Sequence, residues 1–337
     1  MHHSDEAEMK YMPWLKLPDA ISVEIMSICN LQCKHCYIYN STGSAQQLME
    51  FNRFENICTK ISNLITQVGV FNFASVEALM HPQLFKMIDL VRGINPSIHT
   101  PIYSNGMLLT DRNVSKLLDR NINEIHISLD GCRPETVEAF KTGVSFQRVT
   151  DNIRDALLLS NHKFKISSIF VIHQGNIDEL PDYVNFCADM GIFSINVTGL
   201  IPYNQAMAGE ALYSFEGHPY VEEMLRVAAD RANQRGISFS CRHSQLKQKN
   251  YNCVTNRILY ITEDGEVAPC NVLARPTTLC FQGAQGISSP ISYGSVFTSS
   301  PEELWQAPAY ALFRKLFHNG ILPEPCRLCP MAYGVIC

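Results

Sequence analysis

The chain has 337 residues, of which 46% are hydrophobic and 18% charged, with a formal net charge of −5. That composition buries a sizeable core and excludes extensive disorder, and the acidic balance argues against nucleic acid as the main partner, because phosphate binding needs a basic surface. No apolar run approaches the roughly 20 residues of a membrane span, and the polar, acidic start lacks the core of an export signal, so a cytoplasmic protein without membrane contact is expected.

Along the chain, apolar and β-branched segments recur at Ala20–Met26, Val68–Phe73, Ile98–Ser104, Glu124–Leu129, Phe164–Ile172 and Ile192–Thr198. Between them lie amphipathic stretches at Pro82–Val91, Asp111–Arg120, Arg148–Leu159 and Ile177–Met190. Six strand–helix repeats predict an α/β fold with a parallel sheet and right-handed crossovers. The pattern alone leaves an open doubly wound sheet and a partial barrel as alternatives. After about residue 215 the alternation stops. A helix is expected over His218–Arg235, closed by Gly236, followed by a hairpin (Ile258–Thr262, a Glu-Asp-Gly turn, Glu266–Pro269). A Gly/Ser-rich stretch, Gln282–Ser295, precedes one helix from Pro301 to about His318, with Ser300 and Glu303 spaced as a capping box.

Thirteen cysteines in a large chain without an export signal suit reduced thiols serving metal centres better than disulfides. Three stand in the run Cys29-Asn-Leu-Gln-Cys33-Lys-His-Cys36. Iron–sulfur cubanes are normally held by four thiolates, so a C-x3-C-x2-C array leaves one iron open to a ligand. A second constellation, Cys253, Cys270, Cys326 and Cys329, spans the hairpin and the end of the last helix; its spacing suits either a second cluster or a structural zinc. Cys337 is a possible substitute ligand at the chain terminus. Cys58, Cys132, Cys187, Cys241 and Cys280 remain, mostly as small core residues.

The run Ser27-Ile28-Cys29-Asn30-Leu31-Gln32-Cys33-Lys34-His35-Cys36-Tyr37 resembles the radical S-adenosylmethionine (SAM) enzymes, and Gly265-x4-Cys270 with Trp305 leading to Cys326-x2-Cys329 resembles their SPASM/twitch branch. A full SPASM domain carries seven cysteines for two auxiliary clusters; the shorter set here implies the twitch form with one. The resemblance implies a partial (β/α)6 barrel at residues 18–215 after an N-terminal extension at 1–17, and an auxiliary-cluster domain at 216–337. It implies a SAM-binding [4Fe-4S] cluster on Cys29, Cys33 and Cys36, an auxiliary [4Fe-4S] cluster on the other four cysteines, SAM itself, and a reductant such as flavodoxin or ferredoxin as partner. The family's Gly-Gly-Glu-Pro run is replaced by Ser75-Val76-Glu77-Ala78, which keeps the acidic group expected at the SAM ammonium. Ser128 and Asn105 match polar SAM contacts, Lys141 stands where an arginine usually meets the carboxylate, and His35 is placed for the adenine side.

The resemblance implies reductive cleavage of SAM and hydrogen abstraction from a C–H bond. A fully ligated auxiliary cluster suits a net two-electron oxidation of a small polar, sugar-like metabolite. Epimerisation, with Cys241 returning a hydrogen atom, and peptide modification are the enzymatic alternatives; a non-enzymatic zinc or iron–sulfur scaffold is the other. Tyr203, Asn204 and His243 are unranked candidates for the substrate pocket.

Overall fold

The computed structural model describes Trp14 and residues 16–40, 47–241 and 244–335. The first strand, β1 (Ala20–Met26), is buried along its whole length, as a strand covered on both faces must be. It pairs in parallel with β2 (Val70–Ser75), and the register shifts between Glu24 and Met26, just before the first cysteine. A second sheet runs β3 (Ile102–Ser104), β4 (Glu124–Ser128), β5 (Lys165–Ile172), β6 (Ser194–Gly199) and β7 (Ser238–Ser240), all parallel. The two sheets meet where Phe71 N–H donates to the His99 carbonyl at 2.9 Å. Helices fill the crossovers, and each buries one stripe. In Phe51–Lys60 the inward residues are Phe51, Phe54, Ile57 and Cys58, and Phe54 closes on Phe71 and Phe73 of β2 with ring centroids 6.1 and 5.9 Å apart. Among the described residues the outer edges do not pair with each other, so the barrel is partial, as expected.

The C-terminal region is joined to this barrel. The expected hairpin forms from β8 (Ile258–Ile261) and β9 (Val267–Ala268), and β8 also runs parallel to β1, Ala20 opposite Ile258 and Val23 opposite Ile261. The turn between them needs Gly265, whose φ is +88° and whose α-carbon faces Phe297.

Within the Gly/Ser-rich stretch, Ala284–Ser288 (β11) pairs antiparallel with Thr277–Phe281 (β10). One expectation is corrected. The last helix is two, Pro301–Gln306 and Pro308–His318, because Pro308 forces Ala307 into an extended conformation (ψ 136°). The Ser300–Glu303 capping box is present. No helix among the described residues is long and apolar enough to cross a membrane.

Candidate active site

β1 delivers the three-cysteine loop at the carboxyl ends of the strands, where α/β folds gather ligands. The loop is pinned from three sides. Gln32 and Cys33 pair antiparallel with Thr142 and Lys141. Asn40 Nδ2 donates to the carbonyls of Lys34 and Cys36 at 3.0 and 2.8 Å. Asn105 Nδ2 donates to Asn30 Oδ1 at 2.9 Å and approaches Cys29 Sγ at 3.7 Å.

Cys29, Cys33 and Cys36 line one cavity of about 270 Å³. His35, Ser75, Asn105, Ser128 and Lys141 line it too. His35 lies flat on Phe140 (4.5 Å between ring centroids), which stacks in turn on His173 at 3.9 Å. Burial lowers the His35 pKa to about 4, so its ring is neutral at physiological pH.

Two expected ligand contacts are otherwise occupied. Glu77 is fully buried and does not line the cavity. Its Oε1 accepts from Ser104 Oγ (2.8 Å) and Leu79 N (3.2 Å), and its Oε2 accepts from Asn105 N (2.7 Å). It therefore clamps the turn that aims Asn105 at the cysteine loop. Lys141, 2% exposed, forms a salt bridge with Asp130 Oδ2 at 3.0 Å and donates to Ser128 O at 2.5 Å and to Ser128 Oγ at 2.7 Å. Its ammonium is thus already engaged by the protein rather than offered to a carboxylate ligand. Cys241 is exposed at the end of β7 and is not among the residues lining the cavity, where a hydrogen donor to a bound substrate has to be. Asn204 caps a short helix, accepting from Met207 N at 2.9 Å. His243 and Cys337 lie outside the described residues.

The second thiol set does come together. Cys253, Cys270, Cys326 and Cys329 line one small cavity walled by Val272, Leu273, Phe313 and Met331. Cys58, Cys187 and Cys280 are buried as expected.

Both sets suit iron–sulfur clusters in the chemistry of their donors. Burial pushes every one of these thiols up, Cys33 and Cys270 to about 12, and a metal's positive charge at the site is what would favour the thiolate form. Among the described residues no group of His, Cys, Asp or Glu is arranged to hold a single metal ion. A cubane asks for something else, one thiolate for each iron around a larger body.

Of the aromatic wall, pattern reading named Tyr203 and missed Tyr103 and His126. Tyr103 and His126, on neighbouring strands, stack at 4.8 Å in the cavity. His126 stands two residues before Ser128 on the same face of β4, a period-2 signal that was available. Tyr203, 5% exposed, lines the cavity, and burial is the main cause holding its hydroxyl protonated, followed by Cys329, Cys36, Tyr37 and Cys270. Tyr203 lines the cavity together with the first three cysteines and belongs to an apolar cluster against which Cys270 and Cys329 pack. A larger cavity of about 740 Å³, near Asp19 and Arg257 at the amino ends of the strands, contains no cysteine.

Comparison with known proteins bears on the same two regions. The radical SAM superfamily model matches residues 23–187, and the SPASM iron–sulfur cluster-binding domain model matches residues 253–330. The chain is 23% identical over 319 residues to the tungsten-containing aldehyde ferredoxin oxidoreductase cofactor-modifying protein of Pyrococcus furiosus (92% of this chain, 86% of the relative). It is 23% identical over 343 residues to a PqqA peptide cyclase of Streptomyces rochei (94% and 83%). Its fold is similar to Streptococcus suis SuiB bound to S-adenosylmethionine, with a TM-score of 0.71 at 15% identity over 98% of this chain and 75% of that one. SuiB has also been solved with its precursor peptide SuiA.

Proposed function

Because this chain belongs to the radical SAM superfamily and carries its SPASM iron–sulfur domain, we propose that it is an enzyme that removes two electrons and two hydrogens from a side chain of a peptide substrate. In this reading residues 18–215 form the radical SAM barrel and 216–337 the auxiliary-cluster domain. Cys29, Cys33 and Cys36 hold one [4Fe-4S] cluster with SAM at its open iron, and Cys253, Cys270, Cys326 and Cys329 hold a second. When bound, the first centre with SAM supplies a 5′-deoxyadenosyl radical able to take a hydrogen atom from an unactivated C–H bond, and the second centre supplies an electron acceptor.

The chain's own residues do the rest. Ser75, Asn105, Ser128 and His35 offer polar groups and a ring to SAM from the cavity wall. Glu77 and the Asp130–Lys141 pair hold those contacts in place from behind. The observation that carries the oxidative outcome is Tyr203, the buried side chain that lines the cavity and packs in one apolar cluster with Cys270 and Cys329. An electron acceptor held beside that residue favours oxidation over hydrogen return, and Cys241 is not among the residues lining the cavity.

A peptide side chain fits the lining better than the sugar-like metabolite expected from sequence. Leu31, Val76, Ile169, Tyr39, Tyr103 and Tyr203 are apolar or aromatic, Ser104 and His126 are the polar lining residues not assigned to SAM, and the charged Lys141 is engaged by Asp130 and Ser128. Recognition of a sugar would call for several converging polar groups. The PqqA peptide cyclase and the SuiB–SuiA complex point the same way.

The test is anaerobic incubation of reconstituted protein with SAM, a low-potential reductant and a panel of aromatic-containing peptides and sugars. Formation of 5′-deoxyadenosine with a peptide that loses two hydrogen atoms supports the reading. A product of unchanged mass that takes up solvent deuterium would replace oxidation by epimerisation. Turnover confined to sugars would return the substrate to the metabolite class.

A further inference from the structure

A buried charge imbalance sits inside the barrel next to the cysteine loop. Glu24 on β1 is 1% exposed and Arg275 is 7% exposed. Glu24 Oε2 approaches Arg275 Nη2 at 2.5 Å, and Glu263 Oε2 approaches the same nitrogen at 3.5 Å. The groups that face the three are Tyr37 from the helix after Cys36, whose ring centroid lies 5.9 Å from the guanidinium, and Tyr260 from β8. Two carboxylates and one guanidinium sum to one uncompensated negative charge if both acids are ionised. Buried away from water, such a charge is removed by binding a proton.

The hydrogen bonding agrees. Glu24 Oε1 and Glu263 Oε2 are both buried with no hydrogen-bond donor, and Tyr260 Oη is a buried hydroxyl with no partner beside them. Two carboxylates satisfy each other only when one of them carries a proton. Burial is also the main cause raising the Glu24 pKa to about 8, with Glu263 adding to the rise and Arg275 opposing it.

The place matters as much as the chemistry. β1 leads from Glu24 into Cys29, Tyr37 follows Cys36, and Glu263 and Arg275 flank Cys270 in sequence. The carboxylate pair thus belongs to the segments that carry both thiol sets, and Tyr37, which meets its guanidinium, lines the cavity with Cys36 and packs in one apolar cluster with Cys270 and Cys329. We propose that Glu24 and Glu263 share one proton across Arg275 and that this pair is a redox-linked proton site of the enzyme: where the pair is ionised, an electron arriving from the reductant or the substrate at a cluster held by these cysteines would be accompanied by one proton taken up by the pair from solvent, and that proton would be released when the electron leaves. The inference rests on the two-cluster reading above. Above the pH at which the pair ionises in the oxidised protein, reduction would bind one proton from solvent in all, at the first electron that reaches a centre coupled to the pair. Below it the proton is already in place.

The test is a potentiometric titration of the reconstituted protein from pH 6 to about 10, with iron and sulfide counted on the same samples. In wild type the midpoint potential of at least one cluster should be level up to about pH 8 and fall steadily above it. In Glu24→Gln, Glu263 and Arg275 form a balanced one-to-one pair, and the potential should be level throughout; Glu263→Gln should behave alike if the first variant folds poorly. A wild-type protein with both clusters and level potentials overturns the proposal, as does a slope that survives unchanged in both variants. The infrared spectrum of metal-free wild type decides the shared proton apart from the clusters. A carboxylic-acid carbonyl band that bleaches as pH rises through 8 and is missing in Glu24→Gln supports it, and absence of the band at pH 6 refutes it. The iron count, by contrast, bears only on the two-cluster reading.

Discussion

Replacing Lys141 with methionine tests how the site is held together. In the wild type its ammonium meets Asp130 at 3.0 Å, both side chains being at most 2% exposed, and it donates twice more to Ser128. Methionine matches the stem and removes the charge, leaving Asp130 Oδ2 without its salt-bridge partner; Oδ1 keeps the donor from Val171 N at 2.8 Å. Breaking a buried pair by deleting one partner typically costs about 3–5 kcal/mol, a large part of the roughly 5–15 kcal/mol that stabilises a domain. The pH dependence has a definite sign. Burial alone would raise the Asp130 pKa, but Lys141 and then His35 outweigh it and hold the carboxyl below its usual range. A depressed carboxylate contributes stability that is present at neutral pH and lost only as pH falls through the folded-state value. In Lys141→Met the orphaned Asp130 rises instead and binds a proton near neutrality, so the deficit should shrink from pH 8 to pH 5. Urea unfolding of the metal-free protein under reducing, anaerobic conditions measures both effects. The double variant Asp130→Leu with Lys141→Met, which removes both charges, should recover most of the loss. A single-variant loss under about 1 kcal/mol, or a deficit that grows on acidification, would refute the reasoning.

Three further outcomes are expected. Glu77→Gln leaves Asn105 N or Ser104 Oγ facing an amide donor, and should cost about 1–3 kcal/mol in urea unfolding and weaken SAM binding in equilibrium dialysis by loosening the turn under Asn105. Gly265→Ala puts a β-carbon 2.4 Å from Phe297 at a φ of +88°, so about 1–2 kcal/mol of backbone strain adds to overpacking. Iron analysis of that variant should show loss from the second site while the first is retained. The metal-free protein should lose stability as pH rises from about 4.5 towards 8, by up to about 1.4 kcal/mol per unit, because the raised Glu24 carboxyl contributes most when protonated; thermal unfolding of Glu24→Gln should show a flatter profile.

The parts of this account that were legible in sequence are the local ones. Ala20–Met26 carries its buried character in its own seven residues, and three cysteines within eight positions declare their chemistry without help from the rest of the chain. The parts that were not legible depend on distant partners. Nothing near Ile258 says that it will lie beside Ala20, and the Glu24–Arg275 pair joins residues 251 positions apart. Glu77 and Lys141 show a different gap. Sequence placed both residues at the site, but only the hydrogen bonds reveal that their polar atoms are already engaged by the protein. Pro308 is a local signal that was overlooked, since proline inside a helical pattern forces the preceding residue out of it.

The most direct measurement is iron, sulfide and zinc per chain after anaerobic reconstitution, for wild type and for the variant with alanine at Cys29, Cys33 and Cys36. Two cubanes predict about eight irons and eight sulfides in wild type and about four of each in the variant, with no zinc. A wild-type protein that holds zinc and no iron, or a variant that keeps all the iron of the wild type, would contradict the account.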